Sequence, residues 1–193
     1  LERVSPSPAT FDYDKLRWFN QQYINHILSL DELTARVAPF LIDAGLATGA
    51  ANDPDSDEFA RIAAVTAVLK DRLVLLSDAP ELMSFFLQDE LAPYDPALLV
   101  AKKSTREQSL AGLQGALAIF EQGTVTDESA IETELRALAD QLGLKAGQLF
   151  MPIRVAVPGR TESPGLFETL RVIGDDRVRA RIRTAIELLG TPA

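Results

Sequence analysis

Apolar residues recur at spacings of three and four from one end of this chain to the other, and nearly every such stripe starts at a residue able to cap a helix. Side chains three and four apart share one face of an α-helix, whereas a half-buried strand needs alternation by two. Asp12 precedes the stripe Leu16, Phe19, Tyr23 and Ile27. Ser29 and Glu32 form a capping box ahead of Leu33, Val37, Phe40 and Leu41, with Gly45 as the stop and Pro39 expected to kink the helix. Residues 48–57 are small, polar and turn-rich, the composition of a loop. A third helix is predicted over 58–77, carrying Phe59, Ile62, Val65 and Leu69, and a short one over 80–87. Pro93 and Pro96 mark residues 88–95 as irregular. Ser104 and Glu107 make a second capping box, for a helix reaching residue 121 before Gly123. Asp127 opens the next, which holds Ile131, Leu135, Leu138 and Leu142 and stops at Gly143. The remaining helices are predicted over 146–157, over 164–173, and from Asp175-Asp176 through Val178, Ile182, Ile186 and Leu189. Only residues 154–157 could be locally extended. The expected fold is all-α, with residues 88–103 dividing a helical bundle subdomain (1–88) from a C-terminal helical cage (89–193).

Composition narrows what such a fold can do. A chain of 193 residues can bury one large core or two small ones. It has no cysteine, so neither disulfides nor thiolate metal sites hold it together, which fits a reducing cytoplasm. No apolar run approaches the roughly 20 residues of a membrane span, and no basic-then-apolar leader opens the chain. It starts at Leu1 without an initiator Met and reads as a piece of something longer. The net charge is −9, which argues against a generic nucleic-acid binder. The charge is uneven: residues 145–193 hold eight basic and five acidic side chains (+3), leaving −12 for residues 1–144. Seven of those eight are Arg, which can both stack on a base and hydrogen-bond in a fork. The competing reading of this charge is a mixed, solvated helix surface.

Catalytic constellations are missing. The only histidine, His26, sits near a predicted helix end, where a structural role is the default. No glycine-rich GxxxxGK phosphate loop occurs, and the paired acids Asp31-Glu32 and Asp175-Asp176 fall at helix starts, where the helix dipole favours them. Nothing supports a self-sufficient enzyme. The distinctive segment is 147–174, where Pro152 is expected to interrupt one helix and Ser163-Pro164-Gly165 to start the next, Ser163 capping and Pro164 at the first helical position. Arg154 lies before this elbow and Arg160 within it, a setting suited to an anion or a flipped-out base.

Four phrases in order carry a family resemblance: FD-x-x-KL-x-W-x-N-x-x-YI (11–24), LSLDEL-x-x-RV-x-PFL-x-x-AGL (28–46), G-Q-x-x-x-P-x-R-x-A-x-x-G (147–159) and SPGLFE-x-L with a following IG (163–174). With this order and spacing the chain resembles the C-terminal half of bacterial glutamyl-tRNA synthetases, from residue 1 to about 189. The resemblance implies an α-helix cage of the anticodon-binding type, where the related glutaminyl enzymes use β-barrels. It implies that the class I catalytic domain with its HIGH and KMSKS signatures, together with ATP and Mg, belongs to an upstream part, so this chain alone needs no cofactor or metal and should be inactive. The implied partners are tRNA-Glu, with tRNA-Gln open, and the upstream catalytic domain, for a cytoplasmic, monomeric protein.

Residue by residue, Arg72 matches the Arg associated with telling tRNA-Glu from tRNA-Gln at the third anticodon base, and Arg154 matches one near the first. Arg136 is implied as a phosphate or base contact, and Ser163, Pro164 and Leu166 as elbow residues touching bases. Arg160, Lys102 and Lys103 are candidates for the tRNA backbone. Met151 stands where a polar Gln can occur. The alternative from another class is a helical protein-interaction module without RNA affinity, in which Arg72 pairs with a surface acid. Trp18 and Tyr23 look like stacking platforms, yet their ladder reads as core or domain interface.

Overall fold

Side-chain caps set where most helices of this protein begin, in a computed structural model that describes residues 12–191. Asp12 accepts from the Lys15 amide and opens α1 (Tyr13–His26), while Phe11, the first residue of the first phrase, lies outside the described residues. Ser29 and Glu32 form the expected reciprocal box at the start of α2 (Leu30–Asp43). Ser56 caps α3 (Asp57–Leu69), and α4 (Ala79–Leu87) has proline in its first turn. Then follow α5 (Arg106–Gln122), α6 (Glu128–Gln141) capped by Asp127, α7 (Ala146–Ala156), α8 (Leu166–Ile173) and α9 (Asp175–Gly190). Short 3₁₀ turns fill several connections, and no strand occurs among the described residues. The all-α expectation holds.

Four local expectations fail, the first two where a nonlocal bond takes the backbone or side chain concerned. The third helix was predicted to run to residue 77 but ends at Leu69. A 3₁₀ turn, Lys70–Arg72, follows it, so Arg72 is not on an α-helix. The carbonyls of Asp71 and Val74 bond instead to the side-chain amides of Gln21 and Asn20 on α1. The box of α5 is Thr105 with Gln108, one residue later than Ser104 with Glu107. Ser104 Oγ is occupied, accepting from Gln148 Nε2 at 3.0 Å. Pro152 does not interrupt α7: the helix continues through it, with Pro152 buried, as α2 continues through Pro39. Finally, α8 starts at Leu166 behind Gly165, so Ser163 does not cap it and Pro164 is not its first residue.

One continuous apolar core runs from Ile24 to Leu189. Helices α1 to α4 gather at one end and α5 to α9 at the other, while α8 reaches back onto α3 and α4. Close packing of α5 needs small residues. A Cβ at Gly115 would stand 2.7 Å from Leu138 Cδ1, and one at Gly112 2.8 Å from Leu149 Cδ1. No helix of the described residues is long and apolar enough to cross a membrane.

The arginine-rich end does not form a positive face. Arg177 donates to the Phe86 carbonyl (2.6 Å), and Arg181 to those of Gln88 (2.6 Å) and Val157 (2.8 Å). Arg61 on α3 donates to Leu87 (2.6 Å), so three guanidiniums meet at the C-terminal end of α4. Arg179 closes the end of α5 through Phe120 and Gly123, and Arg183 pairs with Glu121. Arg106 donates to the carbonyls of Leu189 and Thr191 at the end of α9. Carbonyls at helix C-termini lack intrahelical donors and carry the negative end of the dipole, so cations belong there.

Arg181 is buried, and burial first, then neighbouring Arg177, pushes its guanidinium down to about 10, so it stays charged at neutral pH. Arg181→Met keeps the apolar stem and removes donors from two carbonyls, and should cost about 2–3 kcal/mol in urea unfolding. A pH effect comes from Glu58, whose carboxylate accepts from the Thr48 hydroxyl (2.6 Å) and amide (3.0 Å). The hydroxyl bond, foremost, holds its carboxyl below the ordinary 4.5. Its contribution is complete above that value and is lost as pH falls through the lower folded value. Thermal melts should therefore show a smaller acid-induced drop for Glu58→Gln than for the parent chain.

Candidate nucleic-acid interface

The elbow between α7 and α8 is shaped by a left-handed glycine and clamped by two arginines. Gly159 has φ +72°, where a Cβ would also come within 3.3 Å of Tyr94 Cδ1 and 3.4 Å of Leu91 Cδ1. The chain then turns back so that the Ser163 carbonyl faces two guanidiniums. Arg72 Nη2 donates to it at 3.1 Å from the 3₁₀ turn after α3, ninety-one positions earlier in the chain. Arg154 Nη2, on α7, donates to the same oxygen at 3.3 Å and to the Pro164 carbonyl at 3.2 Å. Neither Arg72 nor Arg154 takes part in an ion pair among the described residues. Each guanidinium has five N–H donors, so most remain for a ligand. Two cations sharing one neutral carbonyl, without a carboxylate, favour an anion or the acceptor edge of a base.

The other sequence candidates distribute around this clamp. Ser163 is buried, and its hydroxyl donates only weakly, to the Pro164 carbonyl at 3.4 Å. Pro164 is buried and Leu166 sits in the core, so contact from Leu166 to a base is not available in this arrangement. Arg136 is not part of the clamp. Its Nε donates to Glu132 at 2.9 Å, and its guanidinium lies 5.5 Å from the Phe150 ring centre, which packs edge-on against Phe167. Arg160 leans on α4, donating to the Glu81 carbonyl (3.3 Å) over the Phe85 ring.

Lys102 and Lys103 line a groove of about 1010 Å³ that runs past Gly147, Gln148 and Met151 to Thr161 on the elbow. Lys103 adopts φ 64°, a conformation costly for a residue with a side chain, and Gln148 Nε2 holds its carbonyl at 2.9 Å. Lys145 lines the same groove and was missed by sequence reading, as were the holding roles of Gln148, Asn20 and Gln21. The only signal for Gln148 was its place in the G-Q-x-x-x-P phrase. Three lysines thus line a groove that reaches the elbow at Thr161, and the two-arginine clamp holds the same elbow at the Ser163 carbonyl.

The family profile described as anticodon binding domain matches residues 32–186. This chain belongs to that family. A glutamate–tRNA ligase of Herpetosiphon aurantiacus is 46% identical over 191 residues, covering 99% of this chain and 38% of that protein. One from Roseiflexus sp. RS-1 is 42% identical over 193 residues, and this chain spans 37% of its length. The chain corresponds to the C-terminal part of these relatives. A solved glutamate tRNA ligase from Elizabethkingia meningosepticum, in complex with its amino acid, shares the fold with a TM-score of 0.77 at 22% identity. That match covers 96% of this chain and 34% of the solved one.

The clamp engages the carbonyl of residue 163, not its hydroxyl. Ser163→Ala should therefore move the thermal unfolding free energy by less than about 1 kcal/mol, while Arg154→Ala should cost about 1–2 kcal/mol.

Proposed function

We propose that this chain is the anticodon-binding region of a glutamate–tRNA ligase and that it reads the anticodon loop with Arg72, Arg154 and the 163–164 elbow. The observation that carries this reading is the convergence of Arg72 and Arg154 on the Ser163 carbonyl, with no carboxylate in an ion pair with either and free donors on both. An unstacked base entering beside the elbow meets these donors. Arg72 can bond the O2 and N3 acceptors of cytosine, the third anticodon base that separates tRNA-Glu from tRNA-Gln. Lys102, Lys103 and Lys145 take the adjoining phosphates, whose neutralisation supplies affinity without sequence preference.

Within this reading the protein is monomeric and cytoplasmic, and it divides near residue 88 into a bundle and a cage bridged by the Arg72–Ser163 bond. Activation of glutamate with ATP and magnesium belongs to an upstream catalytic part. The residues described here bind and orient the tRNA and take no part in the chemical step.

The test titrates tRNA-Glu and tRNA-Gln transcripts against the full-length protein at low and moderate salt, with Arg72→Gln alongside. A preference for tRNA-Glu is expected, and losing one charged base contact should erase about 1–3 kcal/mol of it, roughly 5- to 150-fold. Equal affinity for both tRNAs would remove the discriminating role of Arg72. Absence of any salt-dependent binding would favour a protein-interaction module instead.

A further inference from the structure

Among the described residues, Lys103 is the one residue with a side chain that has a positive φ, at 64°. It takes the third position of a tight turn, which the Ser104 amide closes on the Ala101 carbonyl at 3.0 Å. A left-handed backbone at that position ordinarily calls for glycine. Strain of this kind persists only where surrounding contacts over-determine it. Here those contacts come from a single side chain on another helix. Gln148 Nε2 donates to the Lys103 carbonyl at 2.9 Å and to Ser104 Oγ at 3.0 Å. Its Oε1 accepts from the Lys145 amide at 2.9 Å. Lys102, Lys103 and Lys145 are themselves exposed, and none takes part in an ion pair among the described residues.

We propose that Gln148 is a positioning residue for binding of the RNA backbone. It fixes the turn that carries Lys102 and Lys103, together with the start of α7 at Lys145, as one rigid set of cations. The inference rests on the reading of these lysines as phosphate contacts. Glycine at position 103 would satisfy the turn without strain but would bring no charge to the groove, whereas lysine tied by Gln148 supplies both. The tie is a neutral amide, so no carboxylate competes with phosphate for the ammonium groups. It also removes backbone freedom from the turn before RNA arrives, which lessens the ordering cost of binding. Gln148 stands in the first turn of α7 and Arg154 in its last, with the helix unbroken between them. At the rise of an α-helix the two positions lie about 9 Å apart along its axis. One helix thus spaces the phosphate contacts from the guanidinium of the clamp.

Titrations of the full-length protein with tRNA-Glu and tRNA-Gln transcripts across a salt series test this, using Gln148→Met, Lys103→Gly and the double variant. Gln148→Met keeps the length of the side chain and loses all three bonds. It should weaken both tRNAs by the same several-fold factor and flatten the dependence of log affinity on log salt by about 1. In the Lys103→Gly background the turn needs no tie, so Gln148→Met should change neither quantity further. A second readout uses no RNA: tryptic nicking after Lys102 and Lys103, located by mass, should quicken several-fold in Gln148→Met, because cleavage follows local opening. Unchanged nicking overturns the proposal. So does an equal loss of affinity in both backgrounds, since Gln148 would then touch RNA or support the fold by itself. A salt dependence that flattens in Lys103→Gly but not in Gln148→Met removes the positioning role and leaves the lysine reading standing. A salt dependence unmoved by Lys103→Gly removes the lysine reading and the proposal with it.

Discussion

Guanidinium groups seated on the carbonyl ends of helices hold this molecule together. Arg61, Arg177 and Arg181 meet the end of α4, Arg179 the end of α5, and Arg106 the end of α9. A helix C-terminus presents acceptors without donors, and an arginine fork from a distant helix satisfies them while joining two elements. That use of arginine explains how a segment with a surplus of positive charge can sit in an acidic protein without forming a broad basic face.

What remains free for a ligand is correspondingly local. Arg72 and Arg154 also donate to a carbonyl, but at an elbow and not at a buried helix end, and they keep donors in reserve. The fold fixes their positions from three sides: α1 braces the Arg72 turn, α7 carries Arg154, and Gly159 lets the chain double back to place the Ser163 oxygen. A clamp of this kind depends on elements far apart in sequence keeping their register.

That dependence accounts for what could be read in advance. The caps at Asp12, Ser29 and Asp127 are local, made between residues three apart, and they were legible from spacing alone. The break at Leu69, the shift of the α5 box to Thr105 and the bond of the Ser163 carbonyl to Arg72 answer to partners dozens of positions away. Periodicity is blind to such partners. Family resemblance named Arg72, Arg154 and Ser163 together, but no spacing rule could show that one carbonyl joins them. Resemblance also placed Leu166 against bases, although its apolar character and helical position already pointed to the core it occupies. The stripe on α1 was as plain in its periodicity, yet its side chains stay about half exposed, so periodicity alone does not say what a face packs against.

The arginine ties on α4 have a bearing on how the chain acquires its structure. Arg177 and Arg181 lie 91 and 93 positions after the carbonyls of Phe86 and Gln88 that they satisfy. During synthesis from the N-terminus, α1 to α4 emerge well before α9, so the end of α4 must wait on water until the last helix arrives. The N-terminal bundle is thus completed from behind, by fastenings that a later-made helix supplies.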